Sequence, residues 1–150
     1  LTLPALRDIY FEQYVYHGDG PEEGQSRPEE GQSLDSMVKL LKAPTLRYVD
    51  FLSIGFTNSL SQAVAKALKE RSEITNLNFN RCSFPEGGSA VIASALKTNT
   101  TLEILVCDAR TDEVFYKVLA AALLSNSTLQ YLECSNPDGS DSCSWLSPLF

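Results

Sequence analysis

The residues of this chain that could carry chemistry are its four cysteines and its single histidine. The cysteines are Cys82, Cys107, Cys134 and Cys143, and no two of them have the C-x-x-C spacing of a zinc or redox site. Nucleophilic catalysis needs a Ser, Cys or Thr beside a base, and His17 lies in a Gly-rich stretch that we interpret as a solvated loop. We therefore expect no metal, no cofactor and no catalytic residue, and the sequence predicts that the protein is not an enzyme.

Two further motifs have both a chemical and a structural interpretation. Gly87 and Gly88 could cradle a phosphate, but no Lys-Ser or Lys-Thr follows at P-loop spacing, which favours a turn before a helix. Asn136, Asp138 and Asp141 resemble part of a calcium loop, without its ligand spacing or its closing Glu. We expect a surface turn at that point.

The elements that would position any site follow from one pattern, which reads apolar, two variable residues, apolar, one variable residue, apolar. The copies begin near Leu6, Leu46, Ile74, Leu102 and Leu129. The last four starts are separated by 28, 28 and 27 residues, which is a spacing typical of leucine-rich repeats. Each copy predicts a short strand.

The first interval is longer than the others because of an insert. Residues 17–33 contain PEEGQS twice and are acidic and rich in Pro and Gly. Such a segment cannot bury enough apolar area to order itself, so we predict a disordered acidic insert. An exposed tether for a basic partner and a duplication without function both remain open.

Stretches with apolar residues at helical spacing lie between the predicted strands. The four apolar faces comprise Leu34, Met37, Val38, Leu40 and Leu41, then Leu60, Val64, Ala67 and Leu68, then Ala90, Ile92, Ala93 and Leu96, and finally Val114, Val118, Leu119, Ala122 and Leu123. Alanine-rich helices approach one another closely while strands keep sheet spacing, which would curve the stack with strands inside and helices outside. The sequence thus predicts an α/β fold.

Residues 63–79 and 89–105 resemble the helix-to-strand junction of ribonuclease-inhibitor-like leucine-rich repeats, where an Ala-Leu helix ends in a polar turn before a Leu-x-x-Leu strand. The resemblance is good over 46–134 and looser over 1–45. It implies a right-handed solenoid with parallel strands on its concave face and helices on its convex face. On this interpretation, residues 1–150 form a single domain that is a segment of a longer array.

The family includes the repeat regions of NOD-like receptors, the Ran GTPase-activating protein and tropomodulin, which share a scaffold and differ in partner. In this family the strand continues to an Asn or Cys that bonds the turn backbone. The ninth positions here are Ile54, Cys82, Arg110 and Pro137, of which Cys82 alone fits. We therefore expect less regular turns than helices.

The cysteines and two Asn-x-Thr sequences also follow the predicted spacing. Cys82, Cys107 and Cys134 are typical of small buried residues in successive repeats, and reduced thiols favour a cytoplasmic protein. Asn99 and Asn126 begin the two N-glycosylation acceptor sequences, whose occupation would reverse that assignment. Their equivalent positions favour a role at the helix ends instead.

The residues between the apolar positions of each strand should project to the concave surface, because side chains alternate along a strand. The candidate partner-binding residues are Tyr10, Tyr48, Asp50, Asn76, Asn78, Ile104, Val106, Tyr131 and Glu133, with Asp8 preceding them. Exposed aromatic and apolar groups in a row are unusual for a solvated sheet, and Tyr is a frequent hot spot. The alternatives are an open face without a partner and a face covered by another segment of the parent protein.

The charge balance limits the partner class. Asp and Glu number 19 against 12 Lys and Arg, a net charge of -7 that repels nucleic acid and anionic membranes and favours a basic protein. We predict a scaffold that binds a protein on its concave face, with no nucleic acid, membrane or small-molecule ligand. A regulatory subunit of the GTPase-activating type, acting in trans, and a structural repeat segment that serves only its parent chain remain as alternatives.

Overall fold

Strands and helices alternate along the described part of the chain. A computed structural model describes residues 6–12, 30–70, 72–108 and 113–135. The elements are β1 (Asp8–Glu12), α1 (Glu30–Leu41), β2 (Tyr48–Leu52), α2 (Asn58–Lys69), β3 (Asn76–Phe79), α3 (Gly88–Ala95), β4 (Ile104–Asp108), α4 (Glu113–Leu123) and β5 (Tyr131–Ser135). This alternation is an α/β fold, and that part of the fold prediction is confirmed.

The strands form one parallel sheet in which the spatial order, β1-β2-β3-β4-β5, is the chain order. They begin at residues 8, 48, 76, 104 and 131, each two residues after an apolar start of the sequence pattern. The middle apolar positions stand in register across the sheet, with Val49 beside Leu77, Leu77 beside Leu105 and Leu105 beside Leu132. Each helix therefore connects two neighbouring parallel strands.

Four strands begin with the same fork of two backbone hydrogen bonds. The carbonyl of Arg7 accepts from the N–H groups of Arg47 and Tyr48, at 2.8 and 3.0 Å. The carbonyls of Arg47, Thr75 and Glu103 accept the corresponding pairs at the starts of β3, β4 and β5, at 2.8 to 3.0 Å. The fork fixes the register of each new strand against the strand before it.

The core lies between the sheet and the helices, which contact their neighbours in chain order, α1 with α2, α2 with α3, and α3 with α4. Phe51 is at its centre, stacked on Phe11 at 4.9 Å and on Phe79 at 5.7 Å between ring centroids. Phe56 meets Phe51 edge to face. Phe51 and Phe79 are almost completely buried, so this stack ties three neighbouring strands together.

Helix α4 departs from its predicted apolar face. Val114, which was predicted to be on that face, is 52 % exposed, whereas Phe115 and Tyr116 are buried. Together with the buried Leu119 and Ala122, these two residues form the buried face of α4. Its centre lies one position further along the chain than predicted. Helical spacing alone did not distinguish these two rotations, because apolar residues occur at both.

Helix α1 begins inside the segment that was predicted to be a disordered insert. Residues 30–33 belong to the helix, because the second PEEGQS copy leads directly into residues that can continue a helical hydrogen-bond pattern. The rest of the predicted insert, 17–29, lies outside the described residues. So do His17, Arg110, Pro137 and the calcium-like segment 136–141.

The junction of α2 and α3 depends on a glycine. Thr57 caps α2, because its hydroxyl accepts a hydrogen bond from the N–H of Leu60 at 3.1 Å. Gly87, with φ of 72°, precedes α3, and Gly88 is buried where α3 meets α2. A Cβ on Gly88 would lie 2.8 Å from both the Ser61 Oγ and a ring carbon of Pro85.

We predict that Gly88→Ala lowers the free energy of unfolding by about 1 to 3 kcal/mol, because the added methyl group overpacks this contact. Chemical denaturation followed by circular dichroism measures the change. Gly55→Ala is the matched control, since its Cβ would meet only the Ser83 Oγ, at 3.8 Å, and should change stability by less than about 1 kcal/mol. Equal stability of the Gly88 variant and the wild type would contradict this description of the contact.

Candidate functional site

The sheet presents an open face on the side away from the helices, made of the residues that alternate with the buried positions. Strand register arranges these residues in two columns across the strands. The first column is Asp8, Tyr48, Asn76, Ile104 and Tyr131, and the second is Tyr10, Asp50, Asn78, Val106 and Glu133. All nine residues predicted to bind a partner therefore share one surface, and Asp8 extends its first column.

One end of the open face carries two tyrosines and two aspartates. Asp8 and Tyr10 lie on β1, and their register partners on β2 are Tyr48 and Asp50. The two aspartates thus occupy one diagonal of a square and the two tyrosines the other. We call these four residues the Tyr-Asp block. The rings of Tyr10 and Tyr48 are 5.5 Å apart between centroids and inclined by 40°, and Tyr10 is 69 % exposed.

Each end of the open face has a tyrosine that donates to an acid two residues along its own strand. The Tyr48 hydroxyl donates to the Asp50 Oδ2 at 3.4 Å in the Tyr-Asp block. At the far end, the Tyr131 hydroxyl donates to the Glu133 Oε2 at 3.1 Å. These contacts hold the two carboxylates on the open face beside aromatic rings.

The middle of the open face is less polar. Ile104 and Val106 of β4 are half-buried and alternate with fully buried residues. On β3, the side-chain oxygen of Asn76 accepts from the Thr75 hydroxyl at 2.7 Å, and that of Asn78 accepts from the Asn80 N–H at 2.9 Å. The asparagine oxygens therefore stabilise the sheet itself, and the apolar pair offers contact area to a ligand.

The local surroundings raise the pKa of both hydrogen-bonded tyrosines above the ordinary value of 10.0. Burial raises the pKa of Tyr48 most, followed by the charge of Asp50, while a hydrogen bond with Asn78 acts in the opposite direction. The hydrogen bond to Glu133 raises the pKa of Tyr131 most, followed by the charge of that carboxylate. Both hydroxyls thus remain hydrogen-bond donors throughout the neutral range.

The two asparagines of the glycosylation-like sequences connect the helix ends to the strands. The Asn99 Nδ2 donates to the carbonyl of Leu68 at 2.9 Å, and its Oδ1 accepts from the N–H groups of Thr101 and Leu102. Asn126 repeats the arrangement with the carbonyl of Leu96, at 2.7 Å. These residues hold the turns that lead into β4 and β5, as their equivalent positions in the sequence suggested.

Other residues with possible chemistry are also part of the fold. Cys82, Cys107 and Cys134 are buried thiols outside any disulfide, and the sulfur atoms of the last two lie 3.2 Å apart. Within the described ranges, no three His, Cys, Asp or Glu side chains come together as a metal site. Gly87 forms the turn into α3, where a Cβ would meet nothing within 4 Å, and Gly88 packs against the side chains of Ser61 and Pro85.

The sequence reasoning missed a groove at the β5 edge of the molecule. It has a volume of about 360 Å³ and is lined by Leu123, Leu124, Asn126, Leu129, Gln130, Tyr131 and Leu132. Leu124 is 75 % exposed just after α4, and this apolar residue at a helix end is the one signal in the sequence for the groove.

Among the described helices, none has the length and apolar composition to span a bilayer.

We predict that Glu133→Gln returns the pKa of Tyr131 towards 10.0, because it removes the charge and weakens the hydrogen bond that raise it. Asp50→Asn should leave the pKa of Tyr48 above 10.0, since burial is its largest cause. Ultraviolet titration of phenolate formation, with Tyr131→Phe and Tyr48→Phe to assign each transition, measures both. An unchanged Tyr131 pKa in Glu133→Gln would contradict the described pair.

Comparison with known proteins finds a partial similarity to an enzyme. No family model matches the chain. The chain is 32% identical over 66 residues to an orotate phosphoribosyltransferase of Pyrococcus horikoshii, over 44% of this chain and 36% of that enzyme's length. The prediction that the protein is not an enzyme is contradicted by this match to a protein named as one. That prediction rested on the lack of a Ser, Cys or Thr beside a base in the sequence, a criterion that does not apply to group transfers without a protein nucleophile.

Proposed function

We propose that this chain is a leucine-rich-repeat coil of the ribonuclease-inhibitor-like type that binds a basic protein on its open face. The observation that carries the binding proposal is an exposed tyrosine close to an acid at each end of that face. Tyr10 is 69 % and Tyr131 52 % exposed, and Ile104 and Val106 lie between them. An uncovered row of aromatic and apolar groups is typical of an interaction surface.

The case for a repeat coil rests on bonds that recur at a fixed interval. The forks of backbone hydrogen bonds recur from β2 to β5, and the asparagine bonds recur at Asn99 and Asn126. Ser53 and Arg81, 28 residues apart, both have a positive φ, of 57° and 58°, in the turns after β2 and β3. A parallel strand-helix-strand connection is almost always right-handed, which supports a right-handed coil with the open face inside.

Cys82 supports the family assignment separately. Its sulfur contacts the carbonyl of Phe51 at 3.0 Å, so it bonds the backbone of the neighbouring strand at the turn. This is the role that the family resemblance implies for an Asn or Cys at the end of the strand. In the described turn after β2, the corresponding position is Ile54, which has no side-chain donor.

The charge of the open face favours a basic partner. Asp8, Asp50 and Glu133 belong to the two columns, and Glu103 is exposed at the start of β4. The guanidinium of Arg47 is engaged elsewhere, at 3.3 Å from the Glu73 carboxylate and in hydrogen bonds to main-chain carbonyls. A basic protein should therefore associate faster at low salt, and this advantage should diminish as salt screens the surface.

A cytoplasmic location is the setting that we propose for this function. Three buried thiols outside any disulfide suit a reducing compartment. The amide nitrogens of Asn99 and Asn126, which glycosylation would modify, are used in internal hydrogen bonds. Both observations support a protein that folds outside the secretory pathway.

The expected anchors are Tyr48, Ile104 and Tyr131, which belong to the first column. We predict that Tyr48→Ala or Tyr131→Ala weakens partner binding by about 1 to 3 kcal/mol, about 5- to 150-fold, because each removes apolar contact that costs little side-chain entropy. The immobilised chain is used to capture proteins from a lysate, and the affinity of each purified captured protein is measured for every variant at two salt concentrations.

The matched controls, Lys66→Ala and Lys97→Ala, change exposed residues on the helical side of the molecule. A partner whose binding survives both tyrosine substitutions and is lost in the lysine variants would place the site on the helices and refute the proposal. Circular dichroism of each variant confirms that the fold is retained.

The similarity to orotate phosphoribosyltransferase supports a second candidate, transfer of a phosphoribosyl group to orotate. It covers 36% of that enzyme's length, so this candidate rests on a partial match. The purified chain is incubated with orotate and an activated phosphoribosyl donor, and the products are separated by chromatography. Product formation above a heat-denatured control would support this candidate, and its absence with correctly folded protein would reject it.

A further inference from the structure

We infer that the open face binds an extended basic segment of the partner that crosses the strands. One Lys or Arg of the segment sits on the Tyr-Asp block, an apolar residue covers Ile104 and Val106, and a second Lys or Arg reaches Tyr131 and Glu133. This inference deepens the proposed function and depends on it. It specifies the chemistry and the spacing of what is bound.

The Tyr-Asp block has the geometry of a cation site. Because Tyr10 and Tyr48 are 5.5 Å apart and inclined by 40°, their rings form an open corner in place of a closed stack. Asp8 and Asp50 occupy the other two corners through the register of β1 and β2. A cation beside this square would meet the aromatic rings and the exposed Asp8 carboxylate, while Asp50, whose Oδ1 is buried, would attract it through its charge. Cation–π attraction acts within about 6 Å of a ring centroid.

The block is organised before anything binds. The Tyr48 hydroxyl holds the Asp50 carboxylate through a hydrogen bond of 3.4 Å, and Tyr48 and Asp50 are both half-buried. Tyr10 and Asp8 are exposed on the edge strand β1 and so remain accessible. Because the inner pair is already positioned and the outer pair is accessible, the protein loses less side-chain entropy when a cation binds.

The distance between the two ends of the face sets the length of the segment. Parallel strands lie about 4.8 Å apart, so β2 and β5 are separated by about 14 Å and β1 and β5 by about 19 Å. An extended peptide advances about 3.3 Å per residue, which places its two cations about four to six residues apart. Ile104 and Val106 belong to β4, which lies about 5 Å from β5 and about 10 Å from β2, so the apolar residue falls one or two residues from the cation at Tyr131 and Glu133.

The uncharged strand β3 between the two ends of the face favours a segment whose two charges are separated. It disfavours a continuous run of basic residues. Asn76 and Asn78 carry no charge, and their oxygens already accept internal hydrogen bonds. A cation placed there would lose hydration without meeting a carboxylate in either column of β3 or β4. The face thus distinguishes a spaced basic-apolar-basic pattern from a polybasic tail.

The test uses a fluorescently labelled Gly/Ser peptide with two arginines five residues apart and a leucine two residues from one of them. Its companions carry citrulline, an uncharged analogue, in place of both arginines, or two adjacent arginines. Binding is followed by fluorescence anisotropy at low salt with the full chain. We expect the citrulline peptide to bind at least tenfold more weakly, and the adjacent-arginine peptide to bind several-fold more weakly, than the spaced peptide.

Protein variants locate the cation. Asp50→Asn and Tyr10→Ala should each weaken the spaced peptide about fivefold, while Glu86→Gln, which removes the same charge outside the open face, should leave its affinity unchanged. Asp8→Asn and Tyr10→Ala change exposed residues, so they keep the test decisive if Asp50→Asn impairs folding. Circular dichroism verifies the fold of each variant.

Equal binding of the arginine and citrulline peptides, or equal effects of the open-face variants and Glu86→Gln, would overturn the inference. If such a result accompanied a protein partner whose binding still requires Tyr131, only the cation assignment would fail. If partner binding were insensitive to Tyr48→Ala and Tyr131→Ala, the proposed function would fail as well. The peptide and partner measurements together separate these outcomes.

Discussion

The fork of two hydrogen bonds at the start of β2, β3, β4 and β5 is the interaction on which the rest of the structure depends. One carbonyl of the preceding strand, such as that of Thr75, accepts from the two N–H groups at the start of the next, those of Glu103 and Ile104. This fixes which residues face the core. A slip by one residue would move Leu105 and Cys107 to the open face and place Ile104 and Val106 in the core. The two columns of the open face are therefore a consequence of main-chain geometry.

Polar side chains extend this main-chain connection to the helical side. Asn99 and Asn126 each accept from two N–H groups of a turn. Asn99 also donates to the carbonyl of Leu68, and Asn126 donates to the carbonyls of Leu96 and Asn99. Loss of such a buried amide leaves donors and acceptors without water, at about 1 to 3 kcal/mol for each unsatisfied group. The absence of a side chain at Gly88 allows α2 and α3 to meet at the same level. Asn99, Asn126 and Gly88 thus fix the spacing between neighbouring helices, which the hydrogen bonds at the strand starts do not determine by themselves.

The apolar pattern was sufficient to predict the strands and the outward side chains because alternation with a period of two leaves one choice of face. The two columns followed from the near-constant spacing of the starts. The rotation of α4 could not be obtained in this way, since Val114 and Phe115 are both apolar and the choice depends on packing against α3. The start of α1 within the duplicated segment depends on backbone cooperativity. The bonds from Tyr48 to Asp50 and from Tyr131 to Glu133 depend on side-chain rotamers, which no spacing encodes.

The restriction of contacts to chain neighbours has a mechanical consequence. The helices contact one another only in sequence order, α1 with α2, α2 with α3 and α3 with α4, among the principal contacts of the described elements. Under a stretching force we expect the outer strands of the described sheet, β1 and β5, to detach first, since each pairs with one strand among the described elements. A sheet with strands inserted out of chain order would resist as a whole. Extension would then proceed in steps of one strand and one helix. The force that the molecule resists would therefore depend on which of its two outer strands is covered by other protein.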